Sequence, residues 1–305
     1  MTDAAQGPVL FVLQRHAIAG GLARHIAAQA GQFETRQFPD GETYLQVATT
    51  VERRDCVVLA DLSRPNDKYL PLIFLLETLR DLGAASVGLV APYLCYMRQD
   101  NRFTEGEAVT SRVFAADLCR HIDWLVTVDP HLHRYRSLDE IYTSCNRAVS
   151  SAPALSAWLG KKSGLLLVGP DAESEQWVAG IAADSGRPFV VGSKQRRGDR
   201  DVLVTLPDLG EFRGHTAVIV DDVIASGGTL LQCIDALRRG GIERISCLAV
   251  HGIFEDGADR RLLAAGLEQL ITTNTVPHPS NAVDVSGLIA PAVIDCIGRS
   301  EANKT

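Results

Sequence analysis

The chain has 305 residues, of which 46% are hydrophobic and 22% charged, and a formal net charge of −7. This length suffices for two domains, and this composition is typical of a globular protein with a substantial core. The acidic balance excludes a general nucleic-acid-binding surface, and no apolar run reaches membrane-spanning length. The seven cysteines form no Cys-x-x-Cys pair and the N-terminus lacks a signal-peptide pattern, so we expect a cytoplasmic protein without disulfides.

The first half alternates short apolar runs with helical patterns. Strands are predicted at 9–13, 43–51, 57–60, 87–91 and 124–128. A turn is expected at Gly20 and Gly21, and a second at Phe38-Pro39-Asp40-Gly41-Glu42. Leucines and isoleucine at helical spacing predict a helix over 72–82, which Gly83 ends.

The second half repeats this order of elements. Strands are predicted at 165–168, 245–250 and 270–273, and the apolar residues 189–191 lead into a basic stretch at 193–200. Leu79 to Gly83 has a counterpart in Leu237 to Gly241. Strands that alternate with helices predict parallel sheets with right-handed crossovers. We therefore expect an α/β protein of two tandem domains with one fold, residues 1–150 and 151–305.

One stretch in the second half combines three features of a ligand site. Val218 to Val220 is a β-branched run typical of a buried strand, and Asp221 and Asp222 follow it. The turn Ser226-Gly227-Gly228-Thr229 then opens a helix, where several backbone amides face one point and suit a phosphate. The carboxylates suit sugar hydroxyls or a metal ion. Many doubly wound proteins have a similar turn without a ligand, so this pattern alone leaves both interpretations open.

The corresponding stretch of the first half has lost the small residues. It reads Asp61-Leu62-Ser63-Arg64-Pro65-Asn66, and Pro65 removes one amide donor. We therefore expect one sugar-phosphate site in each chain.

The full string from Val218 to Thr229 resembles the phosphoribosyl-binding loop of type I phosphoribosyltransferases and of ribose-phosphate diphosphokinases, also called phosphoribosyl pyrophosphate synthetases. Further segments resemble the second family in the same order. They are Phe38 to Glu42, Pro92 to Asp100 with its Arg-Gln-Asp end, the Asp-Pro-His that ends at His131, Asp171, and the Lys-x-Arg at Lys194 and Arg196. The resemblance covers roughly residues 38–229.

This resemblance implies a fold of two type I phosphoribosyltransferase-like domains, each a mainly parallel sheet flanked by helices. It implies an Mg²⁺-dependent enzyme that transfers the diphosphoryl group of ATP to the anomeric hydroxyl of ribose 5-phosphate and releases AMP. It also implies a homo-oligomer whose adenine site is completed at a subunit interface. The implied roles are catalysis by Lys194 and Arg196; ATP binding by Phe38, Asp40, Glu42, Arg98 and Gln99; metal binding by His131 and Asp171; and ribose 5-phosphate binding by Asp221, Asp222, Ser226, Gly227, Gly228 and Thr229.

Each of these residues also has a simpler interpretation. Asp171 suits a helix N-cap, the lysine and arginines suit a solvated loop, and His133 rivals His131 as a ligand. The chain departs from the family at Glu173 and Glu175, where small residues are usual, and after His131, where Gly-Phe-Phe is missing. Two alternatives stay open: a non-catalytic regulatory homologue of the synthetase, and a phosphoribosyltransferase that consumes the activated sugar.

Overall fold

The computed structural model describes residues 7–160, 162–196 and 202–302, without the side chains of 195, 196, 202, 301 and 302. The strands are β1 (Val9–Val12), β2 (Gln29–Ala30), β3 (Phe33–Gln37), β4 (Thr43–Val47), β5 (Asp55–Leu59), β6 (Ser86–Ala91), β7 (Trp124–Val128), β8 (Cys145–Val149), β9 (Leu165–Gly169), β10 (Phe189–Val191), β11 (Ser193–Arg196), β12 (Val202–Thr205), β13 (Thr216–Ile224), β14 (Arg244–Gly252), β15 (Gln269–Thr273) and β16 (Asn281–Val283). The α-helices are α1 (Ile18–His25), α2 (Asn66–Asp81), α3 (Thr110–Leu118), α4 (Ala152–Leu159), α5 (Glu175–Ser185), α6 (Gly228–Arg239), α7 (Ala258–Ala264) and α8 (Ser286–Ala302).

The chain forms two compact units, and the first contains residues up to Ser150 together with the C-terminal segment from Val285. Its sheet has the strand order β2-β1-β5-β6-β7-β8, and every neighbouring pair is parallel. The central strands are buried along their length, which explains why they are continuous apolar runs. The antiparallel hairpin β3–β4 stands apart from this sheet.

The second unit spans Ser151–Asp284. Its sheet has the strand order β10-β9-β13-β14-β15-β16, again with parallel neighbours. A separate antiparallel hairpin pairs β11 with β12. A second core, built largely from β13, β14 and α6, lies against this sheet.

The two sheets follow the same topology, which confirms the expected pair of α/β domains with parallel sheets. The third strand in the strand order is β5 in the first sheet and β13 in the second. Each of these strands leads into the loop and helix whose sequences correspond between the two halves of the chain. The matched sequences Leu79 to Gly83 and Leu237 to Gly241 both end the helix that follows that strand. The loops after β5 and β13 are therefore equivalent positions.

The sequence predicts that the second domain covers residues 151–305. The structure instead groups the C-terminal segment from Val285 onward with the first unit. Helix α8 belongs to the first unit, where Ile289, Val293 and Cys296 are buried. Asp295 on α8 also accepts hydrogen bonds from the guanidinium of Arg147 on β8, at 2.6 and 2.9 Å. Long-range packing of an apolar helix face, which local sequence does not specify, decides this assignment.

The expected turn at Gly20 and Gly21 is wrong, because both residues lie inside α1. Gly21 is buried there beside Ile18 and Leu22, so core packing outweighs the low helix propensity of glycine. Among the described residues, no helix has both the length and the apolar character needed to cross a bilayer.

Candidate active site

The loop between β13 and α6 is a cradle of backbone amides. Gly227 has φ +76°, a left-handed conformation that favours glycine, and Gly228 begins the 12-residue helix α6. Within the described part of the chain, no group accepts a hydrogen bond from the amides of 226–229. Four donors are thus available at the positive end of a helix dipole, and the backbone can bind a phosphate there.

Two carboxylates, those of Asp221 and Asp222, lie near the carboxyl end of β13, and residues 223–225 separate them from this cradle. The amide of Asp222 donates to Oδ1 of Asp221 at 3.0 Å. Desolvation of the Asp221 carboxyl by burial, together with the negative charges of Asp222 and Asp171, raises its pKa well above the usual range. Strand β13 lies between β9 and β14, so this acidic group stands at the carboxyl end of a central strand. Ligands of open α/β sheets bind at such ends.

Asp171 performs the capping role that its position suggested, and it makes a second contact. Its Oδ1 accepts the amide of Glu173 at 3.1 Å, and the Ser174 hydroxyl bonds back to the Asp171 carbonyl at 2.6 Å. Its Oδ2 lies 3.4 Å from the ammonium of Lys194. The Asp171 carboxylate therefore both fixes its loop and meets a positive charge.

Close packing makes the start of this loop specific for glycine. A Cβ on Gly169, the last residue of β9, would lie 2.5 Å from the Ser174 hydroxyl. The side chains of Glu173 and Glu175, which depart from the family pattern, are both exposed.

Lys194 lies on β11, opposite Val204 of β12. Its side chain is mostly withdrawn from solvent, at 23% exposure, and the partner carboxylate of Asp171 is 13% exposed. Partial burial strengthens this ion pair relative to a pair on an open surface. Arg196 ends β11, and its side chain lies outside the described residues, as do residues 197–201.

The hairpin β3–β4 of the first unit presents Phe38, Asp40 and Glu42 at its tip. The tip is closed by Phe38 and Glu42, whose backbones bond at 2.7 Å, and by the Asp40 side chain, which accepts the Glu42 amide at 3.1 Å. Gly41 has φ +91°, as this tight turn requires. Phe38 is 40% exposed, and its ring contacts the Arg36 guanidinium, 4.9 Å from the ring centre, and the edge of Tyr44.

Arg98 and Gln99 lie in the loop after β6. Arg98 is exposed, and the backbone of Gln99 accepts a hydrogen bond from Ser111 of α3 at 3.3 Å. The next residue, Asp100, is buried and pairs with Arg134 at 2.7 Å. Sequence reasoning missed this ion pair, because its partners are 34 residues apart.

His131 and His133 lie after β7, with ring centroids 3.8 Å apart and ring planes nearly perpendicular. The structure therefore brings together the two histidines that the sequence presented as rival ligands. Asp129, two residues earlier, has φ +37° and turns the chain sharply at the strand end.

The equivalent loop of the first unit holds an internal cation. Lys68 Nζ donates to the Asp61 carboxylate at 2.6 Å and also bonds the carbonyl of Ser63. Sequence reasoning recognised the loss of the glycines but missed Lys68. Its position in the first turns of α2, seven residues after Asp61, is the signal that was available.

Two family models match the chain. The model of the N-terminal domain of ribose phosphate pyrophosphokinase covers residues 9–121, and the phosphoribosyl transferase domain model covers residues 140–283. The chain is 32% identical to ribose-phosphate pyrophosphokinase of Sulfurisphaera tokodaii, over 88% of this chain and 94% of that protein. It is 33% identical to ribose-phosphate pyrophosphokinase of Methanopyrus kandleri, over 91% of this chain and 95% of that protein.

A crystal structure of phosphoribosylpyrophosphate synthetase from Mycobacterium smegmatis has a TM-score of 0.83 to this chain at 23% sequence identity. The match covers 96% of this chain and 99% of that chain. This likeness shows that the two proteins share a fold.

Proposed function

The chain belongs to the ribose-phosphate pyrophosphokinase family, and we propose that it transfers the diphosphoryl group of ATP to the anomeric hydroxyl of ribose 5-phosphate. The anomeric hydroxyl loses its proton to solvent as its oxygen bonds to the β-phosphorus of ATP. The bond from that phosphorus to the α–β bridging oxygen breaks, the oxygen keeps the electron pair, and AMP leaves. The products are phosphoribosyl pyrophosphate, which serves nucleotide biosynthesis, and AMP.

The observation that carries this proposal is the cradle of amides beside the two carboxylates of β13. The amides of 226–229 face an anion at a helix N-terminus, and they suit the 5-phosphate. Asp221 and Asp222 then accept hydrogen bonds from the ribose 2- and 3-hydroxyls and orient the anomeric oxygen. Such positioning supplies much of the rate of phosphoryl transfer, since the protein takes little covalent part.

Lys194 and Arg196 neutralise the negative charge of the diphosphoryl group while it is transferred. In the structure the ammonium of Lys194 is held 3.4 Å from the Asp171 carboxylate, so its side chain is already ordered near the site. A fixed positive charge at the transferring phosphates stabilises the transition state with little reorganisation. Partial withdrawal from water increases this effect.

The residues present fit an Mg²⁺ ion, which prefers oxygen ligands and the oxygens of substrate phosphates. The raised pKa of Asp221 comes in part from the negative charges of Asp222 and Asp171, and a bound cation would counteract their effect. We assign Asp171 and His131 to hold the metal. When bound, Mg²⁺ neutralises charge on the phosphates of ATP.

ATP binds through residues of the first unit. The exposed ring of Phe38 stacks on adenine, while Asp40 and Glu42 offer carboxylates to its 6-amino group at the same hairpin tip. Arg98, also exposed, binds phosphate oxygens with Gln99 beside it. We expect a homo-oligomer in which a neighbouring subunit completes the adenine pocket at this tip.

We place the protein in the cytoplasm. All seven cysteines are free thiols, and five of them are buried, which suits a reducing compartment.

The direct test incubates the purified protein with ATP, Mg²⁺ and ribose 5-phosphate, and measures AMP and phosphoribosyl pyrophosphate. We expect equal amounts of both products and none without ribose 5-phosphate. Release of ADP, or no AMP across a range of phosphate and metal concentrations, would contradict the proposed reaction. Consumption of added phosphoribosyl pyrophosphate with a nucleobase would identify a phosphoribosyltransferase, and binding without turnover would identify a regulatory homologue.

A further inference from the structure

The loop at residues 61–66, equivalent to the phosphate cradle of the second unit, is filled from within. The ammonium of Lys68 bonds the Asp61 carboxylate at 2.6 Å, the Ser63 carbonyl, and the Ser63 hydroxyl at 3.4 Å. An ammonium has three N–H donors, and these partners use all three. Lys68 therefore acts as a built-in ligand of this loop and has no donor left for an external anion.

The same contacts fix the backbone of the loop. Oδ1 of Asp61 accepts the Ser63 amide at 2.9 Å, and the Asp61 amide donates to the Gln14 side chain at 3.1 Å. Asp61 and Ser63 are 8% and 9% exposed, so this network is shielded from water. A shielded, satisfied polar network holds one conformation, which gives the loop a rigid end at Asn66.

Asn66 connects this rigid loop to the loop after β6, which carries Arg98 and Gln99. Its side-chain oxygen accepts a hydrogen bond from the hydroxyl of Tyr96, two residues before Arg98. Tyr96 has φ +59°, a left-handed conformation that is strained for a bulky residue and persists only where its surroundings enforce it. Its ring packs on Phe114 with centroids 5.0 Å apart, so the Asn66 bond and this aromatic contact hold Tyr96 from two sides.

We propose that the former sugar-phosphate loop of the first unit has become a support for the nucleotide site. Lys68 and Asp61 lock the loop, Asn66 holds the Tyr96 hydroxyl, and Tyr96 orients Arg98 and Gln99 toward ATP. Lys68, Asn66 and Tyr96 are positioning residues. This role rests on the proposed function of Arg98 and Gln99 as ATP-binding residues.

The test is the effect of Tyr96→Phe, Asn66→Ala and the double variant on the two substrates separately. Each single variant loses the same neutral hydrogen bond, so KM for ATP should rise about 3–10-fold while KM for ribose 5-phosphate stays within about twofold. The double variant should be no worse than either single variant, because both remove one interaction. A parallel rise in KM for ribose 5-phosphate, unchanged KM for ATP, or additive losses would overturn the proposal.

Tyr69→Phe is the matched control. Its hydroxyl donates to Asp117 at 2.7 Å and its ring also packs on Phe114, with centroids 5.1 Å apart, whereas the Asn66 side chain is bonded by the hydroxyl of Tyr96. It should alter the melting temperature without raising KM for ATP. If it raises KM for ATP as much as Tyr96→Phe, the effect is a general loosening of the fold and the proposal is wrong.

Lys68→Ala adds a chemical test. Removal of the side chain leaves the Asp61 carboxylate and the Ser63 oxygens around a vacant ammonium position. Ethylammonium in the buffer should restore part of the lost ATP affinity, whereas tetramethylammonium, which has no N–H donor, should not. Equal effects of the two cations would refute a specific role for the ammonium.

Direct titration of each variant with ATP and Mg²⁺, without ribose 5-phosphate, separates this proposal from the reaction itself. If the wild-type chain binds ATP but makes no AMP, the proposed function fails while the support role is still measured. If ATP affinity is the same in wild type and all variants, the support role fails even where AMP is formed.

Discussion

The ammonium of Lys194 lies 3.4 Å from a carboxylate oxygen of Asp171, and both side chains are largely withdrawn from solvent. The two residues are 23 positions apart, on an antiparallel hairpin and on a helix cap. This ion pair joins the residue proposed for catalysis to one proposed for metal binding. Both residues therefore lie within hydrogen-bonding distance of each other in the second unit, where Asp171 would hold the metal and Lys194 would contact the phosphates.

Lys194→Ala should reduce kcat by roughly 10²–10³, the cost typical of one preorganised electrostatic group. KM for ribose 5-phosphate should change much less, because the amides and carboxylates that bind the sugar phosphate are untouched. Steady-state kinetics with both substrates varied provide the measurement. Lys162→Ala, which removes an exposed lysine of the same unit, should leave both constants unchanged. Equal losses in turnover and in ribose 5-phosphate affinity would show that Lys194 binds the ground state instead.

Asp221→Asn should stabilise the ligand-free protein at neutral pH while it reduces activity. The folded-state pKa of Asp221 is raised above its ordinary value of 3.8, so its contribution to stability is full below about pH 3.8 and is lost as pH rises through the folded pKa. Asparagine carries no charge and avoids this loss. The melting temperature of the variant should therefore exceed that of wild type by an amount that grows from pH 4 to pH 7, about 2–4 °C for each 1 kcal/mol.

Asp184→Asn is the control for this experiment, since Asp184 is an exposed acid on α5 of the same unit. Its melting temperature should follow that of wild type at every pH. A difference for Asp221→Asn that is independent of pH, or that shrinks as pH rises, would contradict the electrostatic explanation.

Gly227→Ala should damage the phosphate cradle. Its φ of +76° costs an L-residue about 1–2 kcal/mol, and an added Cβ would lie 3.4 Å from Leu262. If the strain is relieved by a shift of the loop, affinity for ribose 5-phosphate should fall roughly 5–30-fold. Titration with ribose 5-phosphate alone measures it.

Gly180→Ala is the matched variant for Gly227→Ala, because Gly180 lies inside α5 with no atom within 4 Å of an added Cβ. It should stabilise the protein by about 0.5–1 kcal/mol through helix propensity and leave ribose 5-phosphate affinity unchanged. Similar affinities for the two variants would argue against the cradle as the phosphate site.

Phe38→Ala should weaken ATP binding. Stacking of an aromatic ring on a base is worth about 1–3 kcal/mol, or roughly 5–150-fold in affinity. Phe189→Ala offers a close control, because Phe189 is also 40% exposed but lies in the second unit. Both variants should lose similar, small amounts of stability, and only Phe38→Ala should raise the Kd for ATP. Unchanged ATP affinity would remove Phe38 from the nucleotide site.

The amino-acid sequence alone predicted the class of fold and the local features of the candidate site in the second unit. Apolar runs of strand length, separated by helical patterns, predicted two parallel sheets, and the equal strand orders confirm that expectation. The sequence predicted the cradle because its features are local: a β-branched run, two carboxylates and a Gly-Gly turn all lie within residues 218–228, so local backbone geometry brings them near each other.

Contacts between residues far apart in the sequence became visible only in the folded chain. The tertiary structure placed α8 in the first unit, paired Lys194 with Asp171, and filled the loop at 61–66 with Lys68. It also buried Gly21 inside a helix where the local pattern indicated a turn. These outcomes depend on the packing of surfaces far apart in the chain and on the burial of charge. The spacing of apolar residues in the sequence indicates which face of a helix or strand is buried. Which other element packs on that face is determined only when the chain folds.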